Sequence, residues 1–248
     1  MSRVNVYENI IIGNYLFLLG TEMARRNDQL PPISINLLQQ MPADKTLADL
    51  LLANRGMCRI IEFKRAGKVP PKEKKKLIAL RSGIENTDKP RLWRMISGWL
   101  HWYVEFDDSG GPGTEVTLSA RRYLDLDEED SERWSIQKFA SDIADEAFDE
   151  EINTGIRRYM APYVTWVCKF FSDMQRADAE ARGAGGVRVE PSTTLLVALD
   201  GEKGLSWVSV PNIECAMMNR VELFQHLGIS NEPDTPQYDQ KISRGLSI

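Results

Sequence analysis

The chain has 248 residues, is 42% hydrophobic and 27% charged, and carries a formal net charge of -5, which allows one sizeable core or two modest ones. That composition excludes a disordered or collagen-like chain, and the net acidity excludes a uniformly basic surface that would coat nucleic acid without selection. Cys58, Cys168 and Cys215 lie far apart and lack CxxC spacing, so buried, reduced thiols are expected, not a disulfide framework or a zinc knuckle.

From Val4 to about Arg26 apolar residues recur densely and predict a mostly buried helix with Glu8 in its first or second turn. Its longest apolar run, Ile10 to Leu19, is interrupted by Gly13 and Asn14 and is too short to span a bilayer. Glu8 before that run and Glu22, Arg25 and Arg26 after it are wrong for a secretory leader, so a cytoplasmic chain with no membrane partner is expected. Beyond Pro31 and Pro32, Ile33 to Gln40 reads equally well as a strand or a helix.

Two short apolar segments, Thr46 to Ala53 and Met57 to Lys64, flank Asn54-Arg55-Gly56 and predict an antiparallel hairpin. After Gly67, Pro70 and Pro71, the spacing predicts a helix over Lys72 to Gly83, with Leu77, Ile78 and Leu80 facing inward and Gly83 as its stop. His101 to Phe106 suits a strand, Gly113 to Tyr123 its hairpin partner, and the acidic region from Asp125 reads as helical through Ala181, broken near Asn153 to Gly155 and kinked at Pro162. Thr193 to Asp200 and Leu205 to Val210 form a second hairpin, followed by a helix over Ile213 to Leu227.

Charge is unevenly distributed. Lys64 to Arg81 holds eight Lys and Arg against one acid, while Asp125 to Glu151 holds twelve acids against two bases, so the two stretches face different partners or each other. Neither an EF-hand pattern nor a P-loop is present; Gly110-Gly111-Pro112-Gly113 lacks the P-loop lysine and hydroxyl.

Chemistry is concentrated in the first hairpin. Strand residues two apart share a face, so Glu62 and Lys64 point together, and Asp49 lies near the same sheet end on the partner strand. Two carboxylates suit a hard divalent cation such as magnesium, and a neighbouring ammonium suits orientation of water or charge stabilisation at a phosphate. The bland alternative is a solvated ion pair with Asp49 as a turn or cap residue; the nearly continuous apolar strands argue against it, because buried charges need partners.

Asp49, twelve intervening residues, then Glu62-Phe63-Lys64 on a hairpin resembles the PD-(D/E)xK, restriction-endonuclease-like nuclease superfamily. The match covers mainly Leu47 to Arg65, with Ala48 standing where that motif often has proline. The resemblance implies a mixed α/β fold with an α-β-β-β-α-β core over about residues 1–124, and an accessory, mainly helical region with a hairpin over 125–248. It implies hydrolysis of DNA, or RNA, with Mg2+ or Mn2+ held by Asp49 and Glu62, Lys64 beside the water, and Glu8, preferred over Glu22, contributed by the first helix. Lys68, Lys72, Lys75, Lys76 and Arg81 follow the trio and are candidates for phosphate contacts. Restriction, repair and phage defence are the settings such cores serve, and the absence of an ATPase motif suits one subunit of a larger complex, with protein partners or a homo-oligomer. The rival class is a non-catalytic interaction protein that uses its acidic and basic helices to assemble partners. Trp93, Trp99, Trp102 and Tyr103 are expected in the core, and His101 and His226, with no histidine or cysteine cluster around them, are assigned no metal or base role.

Overall fold

The computed structural model describes residues 7–26, 33–37, 48–54, 57–109, 113, 115–149, 154–181, 195–201 and 204–228. Helix α1 (Glu8–Ala24) leads into strands β1 (Ile33–Leu37), β2 (Leu50–Asn54) and β3 (Cys58–Arg65). Helices α2 (Pro71–Glu85) and α3 (Pro90–Leu100) then carry the chain to β4 (His101–Asp107), β5 (Thr117–Arg122), a 3-10 turn at Tyr123–Asp125 and the short β6 (Trp134–Ser135). Helices α4 (Ile136–Phe148) and α5 (Thr154–Ala181), strands β7 (Leu195–Gly201) and β8 (Gly204–Val210), and helices α6 (Ile213–Ala216) and α7 (Arg220–Leu227) complete it.

The eight strands form one mixed sheet in the order β6-β5-β4-β3-β2-β1-β7-β8, flanked by helices. Only β3 and β4 run parallel, with Ile60 opposite His101 and Lys64 opposite Glu105. A tight turn cannot join parallel strands, so α2 and α3 serve as the crossover. The hairpin expected around Asn54 forms, with Leu50 opposite Ile61 and Ala53 opposite Cys58. Ile33 to Leu37 resolves as a strand that bridges β2 and β7, which puts the first and last hairpins into the same sheet.

Strands β2, β3 and β4 split their side chains between two cores. On one face α1 and α4 cover Leu50, Leu52, Ile61, Phe63, Trp102 and Val104. On the other, α2, α3, α5 and α6 pack over Leu51, Ala53, Cys58, Ile60 and Tyr103. Helix α2 presents Leu77, Leu80 and Ile84 inward, whereas Ile78, expected inside, is 65% exposed because one residue past Leu77 rotates it off the stripe. Gly83 does not stop α2: a Cβ there would lie 2.7 Å from the Phe170 ring, so glycine permits close approach of α5.

Two further helical expectations are corrected. Residues 126–133 are not helical; α4 starts at Ile136, where the Ser135 hydroxyl accepts the Lys138 N–H, because Trp134 is drawn into β6 and packs 4.6 Å from Trp102. The segment over Ile213 to Leu227 is two helices, and Asn219 with Glu222 forms a capping box that starts the second. Burial raises the Cys58 and Cys168 thiols to about 12, which leaves them protonated and unreactive. No helix among the described residues is long and apolar enough to cross a membrane.

Candidate active site

At the end of β3 the apolar alternation gives way to charge. Ile61 and Phe63 face α1, while Glu62 and Lys64 share the other face with Ile60. The Asp49 N–H donates to the Ile61 carbonyl at 3.2 Å, which extends the hairpin ladder one residue and sets Asp49 beside Glu62. The Asp49 carboxylate is then pinned by the Phe63 N–H, which donates to Oδ2 at 2.7 Å. Glu8, the first residue of α1, reaches Lys64 at this end of β3 from the face that α1 covers.

All three acids meet on one ammonium. Lys64 Nζ lies 2.9 Å from Glu62 Oε1, 3.3 Å from Asp49 Oδ2 and 3.2 Å from Glu8 Oε2, and it donates to the Phe63 carbonyl at 2.8 Å. Glu22, at the far end of α1, instead pairs with Arg25 and Arg26. Burial works against the Lys64 charge, but Glu62, Asp49 and Glu8 outweigh it and raise the ammonium above the usual lysine range. Lys64 in the free protein is therefore a proton donor and a fixed positive charge, not a base. Burial pushes Glu62 up to about 7, opposed by Lys76 and Lys64 and reinforced by Asp49 and Glu73.

Behind Glu62 lies a second charged group that sequence reasoning missed. Lys76 is buried and stands 3.9 Å from Glu62 Oε2 and 3.6 Å from Glu73, while the Tyr123 hydroxyl donates to Glu73 at 2.9 Å. The signal was available: Glu73, Lys76, Leu77, Leu80 and Ile84 recur at helical spacing on the inner stripe of α2. Beside Lys64, Glu105 is also buried, and it is held by Arg121 at 2.9 Å and Arg133 at 3.0 Å. Glu105 thus has its own cations, and Lys64 is left to Glu8, Asp49 and Glu62.

The remaining basic candidates do not converge. Lys68, Lys72 and Lys75 are exposed, whereas Lys76 is turned inward. Arg81 forms a two-pronged pair with Asp127 at 2.6 and 2.8 Å and donates to the Leu124 carbonyl, so the basic and acidic stretches face each other here. A cleft of about 800 Å³ opens beside it, with Arg91, Arg122 and Trp99 in its walls. Its arginines stand among Asp125, Asp127 and Glu128, and Arg94 is bound to Glu85, so the cleft lacks the one-signed field that gathers phosphates. Tyr103 and Trp102 are buried, which removes both as base-stacking surfaces. His101 is buried against Tyr123, ring centroids 4.2 Å apart.

No family model, no curated protein and no solved structure matches the chain.

The donor set suits a hard cation. Four oxygens, from Glu8, Asp49, Glu62 and the Phe63 carbonyl, already point at one positive charge. Among the described residues no group of three or more His, Cys, Asp or Glu is arranged to hold a metal ion by itself. Magnesium does not require such a group: it is commonly held by one or two carboxylates and keeps several waters for a phosphate to replace. Asp49, one residue before β2, and Glu62 on β3 are the two carboxylates that could hold it.

Proposed function

We propose that this chain hydrolyses phosphodiester bonds of DNA, or RNA, as a metal-dependent nuclease with a PD-(D/E)xK type of site. The observation that carries the proposal is the meeting of Glu8, Asp49 and Glu62 on the Lys64 ammonium at the end of one hairpin. The element order α1, β1, β2, β3, then crossover helices and parallel β4, supports the same reading, being the α-β-β-β-α-β order that such cores have.

In this reading Asp49 and Glu62 hold a magnesium or manganese ion. When bound, the ion supplies Lewis-acid polarisation of the phosphate and makes water more acidic. The chain's own groups do the rest. The Phe63 N–H keeps Asp49 from swinging, and the β2–β3 ladder fixes its distance from Glu62. Lys64, held protonated, donates to the attacking water or to a phosphate oxygen and offsets charge that builds at phosphorus. Glu8 orients Lys64 from the helix side. The exposed Lys68, just before α2, and Lys72 and Lys75 in its first turns would contact the nucleic-acid backbone without reading sequence.

The deciding experiment is cleavage of plasmid, linear and single-stranded DNA and of RNA with magnesium or manganese, comparing the native chain with Lys64→Ala and a chelator control. Metal-dependent cleavage that Lys64→Ala loses is the expected result. Equal cleavage by both would place the activity elsewhere, and a folded native chain inert on every substrate would leave the four groups as a structural ion-pair cluster in an interaction protein.

A further inference from the structure

The outward face of α1 carries a pattern that the candidate site does not use. Tyr7 is 70%, Ile10 51% and Phe17 78% exposed, on a helix whose other face is buried against the sheet and α4. Between the large residues stand Gly13 and Gly20, both exposed, and a Cβ at either would meet nothing within 4 Å. Glycine inside a helix costs about 1 kcal/mol relative to alanine. Here that cost is incurred twice without any neighbour among the described residues requiring it.

The order is Ile10, Gly13, Phe17, Gly20, Ala24, the alternating three-and-four spacing of a helix-pairing seam. Two polar side chains beside the stripe turn a donor back onto the helix: Asn14 Nδ2 donates to the Ile10 carbonyl at 2.8 Å, and the Thr21 hydroxyl to the Phe17 carbonyl at 2.9 Å.

We infer that two copies of this chain pair antiparallel through α1, with a two-fold axis near Tyr15. Under that symmetry Ile10 meets Gly20 of the other copy and Phe17 meets Gly13, so both Ile10 and Phe17 enter a glycine gap. Parallel pairing would set Phe17 against Phe17 and glycine against glycine, wedging the helices apart at one level and leaving holes at the next. The helix dipole agrees with the antiparallel choice, because it sets the N-terminal end of one α1 beside the C-terminal end of the other. Fully covering Tyr7 and Phe17 would bury roughly 300 Å² per copy, a substantial part of the roughly 800 Å² per partner in a stable complex. Ile10, 51% exposed, extends the contact. The pairing stands whether or not the candidate site cleaves nucleic acid.

Light scattering of the native chain at up to about 100 µM, which saturates a Kd of micromolar order, should give twice the chain mass. Two variants should halve it: Phe17→Glu, at an exposed site, and Gly13→Leu, which fills the gap while favouring the helix. Cysteine cross-linking tests the direction. From the helical rise, a two-fold at Tyr15 puts the paired Asn14 positions about 3 Å apart along the axes and the Ile10 positions about 15 Å apart. Asn14→Cys should therefore form a disulfide-linked dimer under mild oxidation, and Ile10→Cys should not. A monomeric native chain, a dimer indifferent to both Phe17→Glu and Gly13→Leu, or cross-linking at Ile10→Cys would each overturn the inference.

Discussion

The two faces of β3 receive alternate residues of one strand and are built for opposite ends. Toward α1 and α4, Ile61 and Phe63 join a core in which Tyr15 lies 5.5 Å from Phe63 and 6.1 Å from Phe139. Toward α2, Ile60 begins the same way, but the next two positions are Glu62 and Lys64, and Lys76, Glu73, Tyr103 and Glu105 gather around them. Burying that much charge brings no stability by itself, since desolvation offsets much of the attraction. One face defines the fold, and the charged end of the other adds little to it and carries the groups of the proposed site.

Neighbours on the strand should separate these roles most sharply. Phe63→Ala should lose about 3–5 kcal/mol of stability, as deletion of a fully buried aromatic does, and chemical denaturation would read it. Lys64→Ala should cost less than that, because Glu62, already near 7, takes up a proton once the ammonium is gone, while cleavage by the folded variant falls about 100- to 1000-fold, the range for loss of one electrostatic contact to the transition state. If Phe63→Ala were tolerated and Lys64→Ala unfolded the chain, the division between faces would be reversed.

Much of this was legible in the sequence because it rests on local rules. The turn at Asn54 and the two-residue strand period were enough to put Asp49, Glu62 and Lys64 together, since a hairpin brings distant positions together through its register. Lys76 was hidden because a lysine run reads as solvated surface, and only the stripe shared with Leu77 and Leu80 marks it as inward. Helix α3 was missed because Trp93 to Leu100 runs into the strand His101 to Phe106 without a break; Pro90 at its start was the available sign. The parallel pairing of β3 with β4 and the insertion of β1 between β2 and β7 join residues far apart in the chain. No local propensity encodes such pairings.

The charged end should also respond to pH in a way the apolar face cannot. Glu62 sits at about 7 in the folded chain because burial disfavours its charge, whereas an unfolded glutamate titrates near 4.5. Between those values the folded state holds the extra proton, so stability falls as pH rises from about 5 to 8. Relative to Glu62→Gln, the native chain should lose on the order of 2 kcal/mol across that window, measured by denaturation at each pH. A native-minus-variant difference flat from pH 5 to 8 would refute the assignment. Magnesium should favour the charged form, so the thermal shift it produces should grow over the same window and vanish in Asp49→Ala.

The smallest expected effect lies at His101, at the other end of the parallel pair from Lys64. Its imidazole is buried with neither ring nitrogen hydrogen-bonded, and burial, helped by Lys76, lowers it to about 3. The unfolded chain takes up that proton below about 6.5 and the folded chain does not, so His101 removes stability as pH falls from 6.5 toward 3. His101→Phe keeps the stack on Tyr123 and abolishes the titration. At pH 7 the variant and native chains should agree to within about 1 kcal/mol, the swap being close in shape. At pH 5 the variant should be more stable by about 2 kcal/mol. Equal stability at both pH values would show that His101 gains a proton in the folded chain, drawing it into the Glu62–Lys76–Glu73 group and extending the charged end of this face along β4.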